Sequence, residues 1–427
     1  MELLIFFGSF FVLLFINIPI GICMALSSLF YVVANGDFFL ISILAPRIFA
    51  GINNFSMLAI PLFILSGDLL SCGKASKVLL DMANSFVGHF KGGLSTVTTL
   101  ACMFFGAVSG SGAATASAIG SIVAPESERM GYKKDFIAAV IAAAGPLGIL
   151  IPPSIPMVVY GAATDTSIGA LLLSGVGPGV LFGVILIVYG YWVSSKKGYG
   201  SIAQFSWTKV LRCCRDAGWA FLTPVIIVGG IYSGVFTPTE AAAAAAVYSL
   251  FVGLFIYRGF GVRELPQIFL RSAIASAAIM FVVGGVVMFG WVLTREQIPQ
   301  MITKAILANI TSPMVFLLIM NAIMLVAGML MDPSPAIILF APLLLPAAQA
   351  FQIDLVYFGA LMVANLAIGL ITPPVALTLY VSSQICGVSV SRIIKEVLPM
   401  VGLLVFGLLL LILFPGICMY LPNLFFK

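Results

Sequence analysis

Long apolar runs, cut at intervals by short polar or Gly/Pro clusters, make up nearly the whole chain. Leu3 to Val33 is apolar with a break at Asn17-Ile18-Pro19-Ile20-Gly21, and reads either as one long kinked span or as two short ones; Asn35-Gly36-Asp37 ends it. Asn53 to Leu70 predicts the next span, interrupted by Pro61 and carrying Asp68 near its end. Lys74 to Lys91 is amphipathic, with Lys74, Lys77, Asp81, His89 and Lys91, and predicts a helix lying at the membrane interface. Leu94 to Val123 is apolar but holds Ser109-Gly110-Ser111-Gly112 at its centre. Split there, each arm has about 14 residues, or roughly 21 Å of helix, against about 30 Å of hydrocarbon. That predicts a re-entrant hairpin with its tip at mid-depth.

The next run, Phe136 to Asp165, has the length of a span but contains Gly145-Pro146-Leu147-Gly148-Ile149-Leu150-Ile151-Pro152-Pro153-Ser154. Proline removes a backbone donor and clashes with the preceding turn, so no regular helix passes through. Broken backbone survives in hydrocarbon only where protein or an internal cavity shields it, and such a break points to an ion or substrate site in a secondary transporter. Asn365-Leu366-Ala367-Ile368-Gly369-Leu370-Ile371-Thr372-Pro373-Pro374 repeats the design. A shift of 221 residues carries Pro153 onto Pro374, Gly148 onto Gly369, Pro125 onto Pro346, and Ser109-Gly110-Ser111-Gly112-Ala113-Ala114 onto Leu330-Met331-Asp332-Pro333-Ser334-Pro335. Each half therefore pairs a knot with a broken helix. The second knot sits inside Pro313 to Leu345, and the second broken helix is Tyr357 to Ser383.

Between the halves, Ile168 to Val193 predicts a span, Lys196, Lys197, Lys209, Arg212 and Arg215 a basic loop, and Ala217 to Val235 another span. Thr237-Pro238-Thr239-Glu240 predicts a helix start with Thr237 as N-cap, and Ala241 to Ala246 a small-residue packing face. Ser272 to Leu293 follows the inside marks Arg258, Arg263 and Arg271. Gln297 to Ile310 predicts a second interfacial segment, and Glu396 to Met419 the final span. The first hairpin is flanked by Lys91 on one side and by Glu126, Glu128, Arg129, Lys133 and Lys134 on the other, whereas the flanks of the second lack Lys and Arg. By the positive-inside rule the two enter from opposite faces, as an inverted-topology repeat.

Composition sets the class. The chain of 427 residues is 62% hydrophobic and 8% charged, with mean hydropathy +1.19. This is a polytopic all-α membrane protein, and about 20 apolar residues per span allow roughly ten crossings plus hairpins. A barrel is excluded, because the apolar runs are long and do not alternate. The net charge of +5 fits inside-loop Lys and Arg rather than nucleic-acid binding. The seven cysteines are scattered without CxxC and read as reduced apolar fillers; His89 stands alone. Met1 to Phe15 lacks a basic start and an A-x-A site, and reads as a retained helix rather than a signal peptide. No enzyme is expected: there is no GxxxxGK[ST] for a nucleotide, no HExxH and no GxSxG.

Two tips and two breaks at one depth carry a defined chemistry. Half-helix C-termini and unwound carbonyls suit a small cation, and half-helix N-termini suit a carboxylate. At least two cation sites are expected. One uses Ser109, Ser111, Gly148, Ile151 and Pro153; the other uses Asp332, Gly369, Thr372 and Pro374, with Asn365 and Ser334 nearby. Sodium is preferred over calcium because at most one carboxylate is present, while protons remain open through Asp332. An intramembrane carboxylate is a functional candidate by default, and Asp332 reads as ligand, as half-helix cap, or as both. The candidate substrate contacts are Ser111, Gly112, Ser154, Asp332, Ser334 and Asn365. Asp68 reads as interfacial and Arg295 as an interface anchor or an attractor of anions.

Gly106-Ala107-Val108-Ser109-Gly110-Ser111-Gly112-Ala113-Ala114-Thr115, the run from Gly148 to Gly161, and Gly234-Val235-Phe236-Thr237-Pro238-Thr239-Glu240-Ala241-Ala242 resemble the large membrane subunit of a tripartite ATP-independent periplasmic (TRAP) transporter. The resemblance runs over essentially the whole chain. It implies an elevator-type carrier driven by sodium in the bacterial inner membrane. It also implies a separate small four-helix membrane subunit, a periplasmic substrate-binding protein and an organic-acid substrate. The tip and the Gly145-Pro146-Leu147-Gly148 lead-in look more like the sialic-acid branch, with C4-dicarboxylates and other sugar acids as alternatives. The chain then divides into N-terminal scaffold helices and interfacial arm (1–93), first transport part (94–170), second scaffold and arm (171–312), second transport part (313–390) and C-terminal helix (391–427). The competing readings are a stand-alone sodium/dicarboxylate-type carrier and a channel or scaffold subunit without a coupled ion.

Overall fold

A computed structural model of the chain describes residues 2–16, 18–36, 38–72, 74–90, 92–200 and 205–426. Met1, Asn17, Asp37 and Lys91, used above for the N-terminus, the first break, the turn after it and the first hairpin's flank, lie outside them. The described residues form helices and no strand.

Helices α1 (Glu2–Phe15) and α2 (Ile20–Ala34) pack against each other, so the first apolar run is two short helices and not one kinked span. Between α3 (Ile41–Ile52) and α4 (Ala59–Ser71) the chain bends by 57°. The expected interruption at Pro61 is thereby corrected. Pro61 sits in the first turn of α4, where a helix leaves its N–H groups unpaired anyway, and the bend falls at Asn53-Asn54. There the Asn54 side chain accepts from Ser56 N at 2.9 Å. Helix α5 (Ala75–Val87) buries Leu79, Met82 and Ala83 and exposes Lys77 and Asp81, the two faces expected of the first arm.

Helices α6 (Gly93–Ser109) and α7 (Gly112–Arg129) lie along each other and form the first hairpin. Its feet are clasped by one residue: Gly92 N donates to the Tyr199 carbonyl and Lys133 N to the Tyr199 hydroxyl, each at 3.2 Å. Then α8 (Lys134–Ala144), a tight 3-10 turn over Gly145–Ile149, and α9 (Ile155–Thr164) make the first broken helix. Helices α10 (Ile168–Ser174) and α11 (Val176–Lys197) return.

Helix α12 (Trp207–Tyr232) starts ahead of the expected Ala217, so Lys209, Arg212 and Arg215 ride on its first turns rather than in a loop. Helix α13 (Pro238–Phe251) opens with a capping box: Glu240 N donates to Thr237 Oγ1 at 3.3 Å and Thr237 N to Glu240 Oε2 at 2.8 Å. Its buried Ala241, Ala242, Ala245 and Ala246 leave room for α4 to lie close, and Ser249 Oγ meets Ser66 Oγ at 2.8 Å. Helix α14 (Leu265–Arg295) begins earlier than Ser272 and carries Arg271, whose guanidinium pairs with Asp68 at 2.9 Å. Asp68 thus ties α4 to α14, with Ser272 Oγ donating to it at 2.7 Å.

Helix α15 (Ile298–Asn309) leads into the second hairpin, α16 (Pro313–Leu330) and α17 (Pro333–Ala350). Its feet meet too: Phe316 stacks on Phe351 with centroids 5.1 Å apart. Above the feet, α16 packs on α18 (Leu355–Gly369) and α17 on α9 and α15, so the two arms part. The second broken helix continues from α18 to α19 (Leu377–Cys386), and α20 (Val390–Leu413) and α21 (Gly416–Phe425) close the chain.

Hairpin arms of 17 and 18 residues span about 26 Å at 1.5 Å per residue, longer than expected because α7 runs on through Glu126, Glu128 and Arg129. Among the described residues seven helices are long and apolar enough to cross a membrane, or eight with α3 and α4 as one bent span. That is fewer than the roughly ten allowed by length, because the broken helices count as short pieces.

Candidate functional site

The two halves run in opposite senses. Helix α8 leaves the feet of the first hairpin, and α9 ends near the feet of the second, where the Tyr160 hydroxyl donates to Leu355 O at 2.9 Å. Helix α18 starts from there, and α19 returns to pack on α7 and α8. The tips therefore approach each other from opposite sides.

In the first half Gly110 (φ 66°) ends α6 and Ser111, in extended backbone, caps α7. Ser109 Oγ lies 2.9 Å from Thr115 Oγ1, which donates to Ser111 O at 2.7 Å. The broken helix presses directly on this tip. A Cβ on Gly110 would stand 2.7 Å from Pro153 O, and one on Gly148 would stand 3.0 Å from Ser111 O. Ser109, Ser111, Gly148 and Pro153 are thus in one cluster. Ile151 turns its side chain toward Gly179 of α11 instead. Thr115 joins the cluster without having been singled out; its position one helical turn after Ser111 was the available signal.

In the second half Gly369 lies on Gly328, and a Cβ there would fall 2.6 Å from Gly328 Cα. Val375 N donates to Met329 O at 3.1 Å, which fastens the break to the hairpin. Thr372 Oγ1 donates to Ile368 O at 2.7 Å and Thr378 Oγ1 to Leu370 O at 2.8 Å. Pro374 faces outward and exposed. Asn365 is fully buried; its Nδ2 donates to Asn321 O at 2.7 Å and Asn321 Oδ1 at 2.8 Å, while its own Oδ1 has no partner. Asn321 and Thr378 were missed by sequence reasoning, although an asparagine inside the apolar run of α16 is a signal of its own. Both Pro152-Pro153 and Pro373-Pro374 bonds are cis.

Between the tips lies a cavity of about 100 Å³ lined by Ser111, Gly112, Asp332 and Ser334 together with Ile155 and Leu377. Gly112, Ile155 and Leu377 open α7, α9 and α19, and Pro333 of the same lining opens α17, so four helix N-termini border one space. Each brings a positive dipole end. Asp332 stands at the start of α17, exposed to the cavity, and its carboxylate does not cap the helix. Ser154 does cap: it is fully buried, accepts from Met157 N at 3.3 Å and donates to Ile149 O. Among the described residues no three His, Cys, Asp or Glu side chains gather as a metal cluster, and all seven cysteines are free.

The family model of the tripartite ATP-independent periplasmic transporter, DctM component, matches residues 7–417. The chain belongs to this TRAP family. It is 45% identical over 380 residues to the C4-dicarboxylate TRAP transporter large permease protein DctM of Pseudomonas aeruginosa, covering 89% of each chain. It is 36% identical over 413 residues to the sialic acid TRAP transporter large permease protein SiaM of Vibrio cholerae, covering 97% of this chain and 96% of that one. The isethionate TRAP transporter permease protein DctMQ of Oleidesulfovibrio alaskensis is 39% identical over 417 residues, which cover 97% of this chain and 66% of the relative. The fold resembles the crystal structure of the Alcanivorax borkumensis YdaH transporter, with TM-score 0.59 at 14% identity over 90% and 89% of the two chains. Two of the motifs that resemble a TRAP large subunit, Gly106 to Thr115 and Gly148 to Gly161, supply the first half's share of the cavity lining.

Proposed function

We propose that this TRAP large permease imports a small carboxylate-bearing solute together with sodium ions across the bacterial inner membrane. A periplasmic binding protein delivers the solute, and a small membrane subunit completes the carrier. The observation that carries the reading is the cavity shared by both tips, with four helix N-termini and one carboxylate around it. Helix N-termini attract an anion. Asp332 in the same space repels one, and a cation bound beside it offsets that repulsion. That is a physical reason for coupling: the anion and the sodium ion each stabilise the other's site.

Oxygen atoms suited to sodium gather at the two tips and breaks, and those of Ser111 and Asp332 line the cavity itself. In the first half they are the Ser109, Ser111 and Thr115 hydroxyls with the Ser111 and Pro153 carbonyls; in the second, the unpartnered Asn365 Oδ1, the Asp332 carboxylate and Thr372. The hydroxyls of Ser109 and Thr115 are engaged with each other and with Ser111 O, and turn on binding. The hairpins, entering the membrane from opposite faces and leaving on the same side, move as one body with the broken helices, in an elevator, against the scaffold of α1–α4 and α12–α14. The sequence lean toward sialic acid yields to a C4-dicarboxylate as first candidate, because the relative named for it stands at 45% identity against 36% for SiaM. A relative named DctMQ supports the small membrane partner.

The test is uptake by liposomes holding the chain with its small subunit and binding protein. Succinate, sialic acid and isethionate are offered with and without an inward sodium gradient. Sodium-dependent uptake of one acid, requiring the binding protein, is expected. Uptake without the binding protein would favour the stand-alone carrier, and uptake indifferent to the gradient would remove sodium coupling.

A further inference from the structure

A second apolar feature lies away from the cavity, on the outer face of α11 and α20. The two helices border a groove of about 660 Å³ whose walls are Val184, Val188 and Trp192 on one side and Pro399, Leu403 and Phe406 on the other. The spacing of these residues, three or four apart, puts each set on one helix face. Val188, Trp192 and Phe406 are all more than half exposed. At one end Lys197 Nζ pairs with Glu396 Oε2 at 3.4 Å and holds the last turn of α11 beside the first turns of α20. The same spacing, continued one turn past the walls, reaches Lys196 on α11 and Lys395 on α20, with Arg392 a turn further. All three are exposed, and none has an ion-pair partner among the described residues. Lys196 Nζ lies 3.9 Å from the Trp192 ring centroid, where aromatic side chains mark the headgroup level of a bilayer. An apolar slot thus ends in three basic side chains.

We propose that this groove is a site for one anionic phospholipid, with an acyl chain between α11 and α20 and the phosphate between Lys196 and Lys395. Basic mouths between membrane helices recognise anionic headgroups. The charge at the mouth favours a lipid over a neutral partner. The walls favour it over a helix: close helix packing in membranes uses Gly, Ala or Ser, and the groove is lined by Val, Ile, Leu, Tyr, Trp, Pro and Phe. A chain one methylene wide fits between such side chains where a helix does not.

The experiment is native mass spectrometry of the full chain, purified with its small subunit and given phosphatidylglycerol or phosphatidylcholine. One phosphatidylglycerol is expected to be retained in preference to phosphatidylcholine. Lys196→Gln with Lys395→Gln should weaken that retention about 30-fold, the effect of two basic groups at a membrane surface. Leu403→Trp, which fills the slot but keeps the charge, should reduce both lipids. Free glycerol phosphate in excess should not displace the lipid. Equal retention of the two lipids, no change in the double variant, or displacement by glycerol phosphate would each overturn the proposal. So would a cross-link from a cysteine at Val188 to the small subunit or to a second copy.

Discussion

The two halves share a plan but hold their tips differently. In the first, α6 and α7 lie together and the tip is knitted by neutral hydroxyls, Ser109, Ser111 and Thr115, under the pressing backbone of Gly148 and Pro153. In the second, α16 and α17 part above their feet, and the tip presents a carboxylate, Asp332, that bonds to nothing in its own hairpin. Neutral oxygens held by one another must first turn from their partners to meet an ion. An unpaired carboxylate responds to every ion that enters. On the proposed sodium-coupled reading, the second half senses the ion and the first supports it.

That contrast breaks most visibly at the glycines. A Cβ on Gly369 would meet three backbone atoms of Gly328 at 2.5–2.7 Å, none of which can swing aside. Gly369→Ala is expected to cost about 3 kcal/mol, the upper range for overpacking, and to abolish uptake; thermal unfolding in detergent reads the first and liposome uptake the second. Gly148→Ala should cost less, since two of its three close contacts are Thr115 side-chain atoms and only one, Ser111 O at 3.0 Å, is backbone. Equal losses at the two glycines would erase the distinction drawn here.

The next largest effect is expected at Asp332. Asp332→Ala should leave membrane insertion near normal and raise the sodium concentration for half-maximal uptake by roughly 30-fold, as for losing a charged ligand worth about 2 kcal/mol. Unchanged sodium dependence would take Asp332 out of the ion site. Thr115→Val keeps the shape and removes the hydroxyl shared by Ser109 and Ser111. About 1 kcal/mol of stability should go with it, and sodium affinity should fall by less than at Asp332. A larger fall would make the first half the sensor. Arg271→Gln, which leaves the mostly buried Asp68 to the Ser272 hydroxyl, should cost about 1 kcal/mol of stability and leave sodium dependence alone.

Why was so much of the plan legible beforehand? Glycine and proline inside apolar runs leave a trace that no packing can hide. Gly148, Gly369, Pro153 and Pro374 named both breaks, and Ser111 and Asp332 both tips. Thr237 and Glu240 named a helix start for the same local reason. What stayed hidden depends on distant partners. Arg271 reads as a loop charge until Asp68 is seen across from it, and Lys209 to Arg215 read as loop until α12 is seen to carry them. Asn321 and Thr115 each left a faint sequence signal, but what they do shows only with Asn365 and Ser109 beside them. The bend at Asn53-Asn54 was masked by Pro61, a louder but harmless signal.

Tyr199 fastens both feet of the first hairpin, yet it lies far downstream of them. A ribosome reaches it about 70 residues after Lys133, which at about 5–20 residues per second is roughly 4–14 s. The second hairpin waits for nothing, because Phe351 follows directly on its own arm and meets Phe316 at once. During synthesis the first hairpin therefore emerges unlatched and depends on the insertion machinery for those seconds. Thiol labelling of stalled nascent chains should find its feet open before residue 199 leaves the ribosome and closed after.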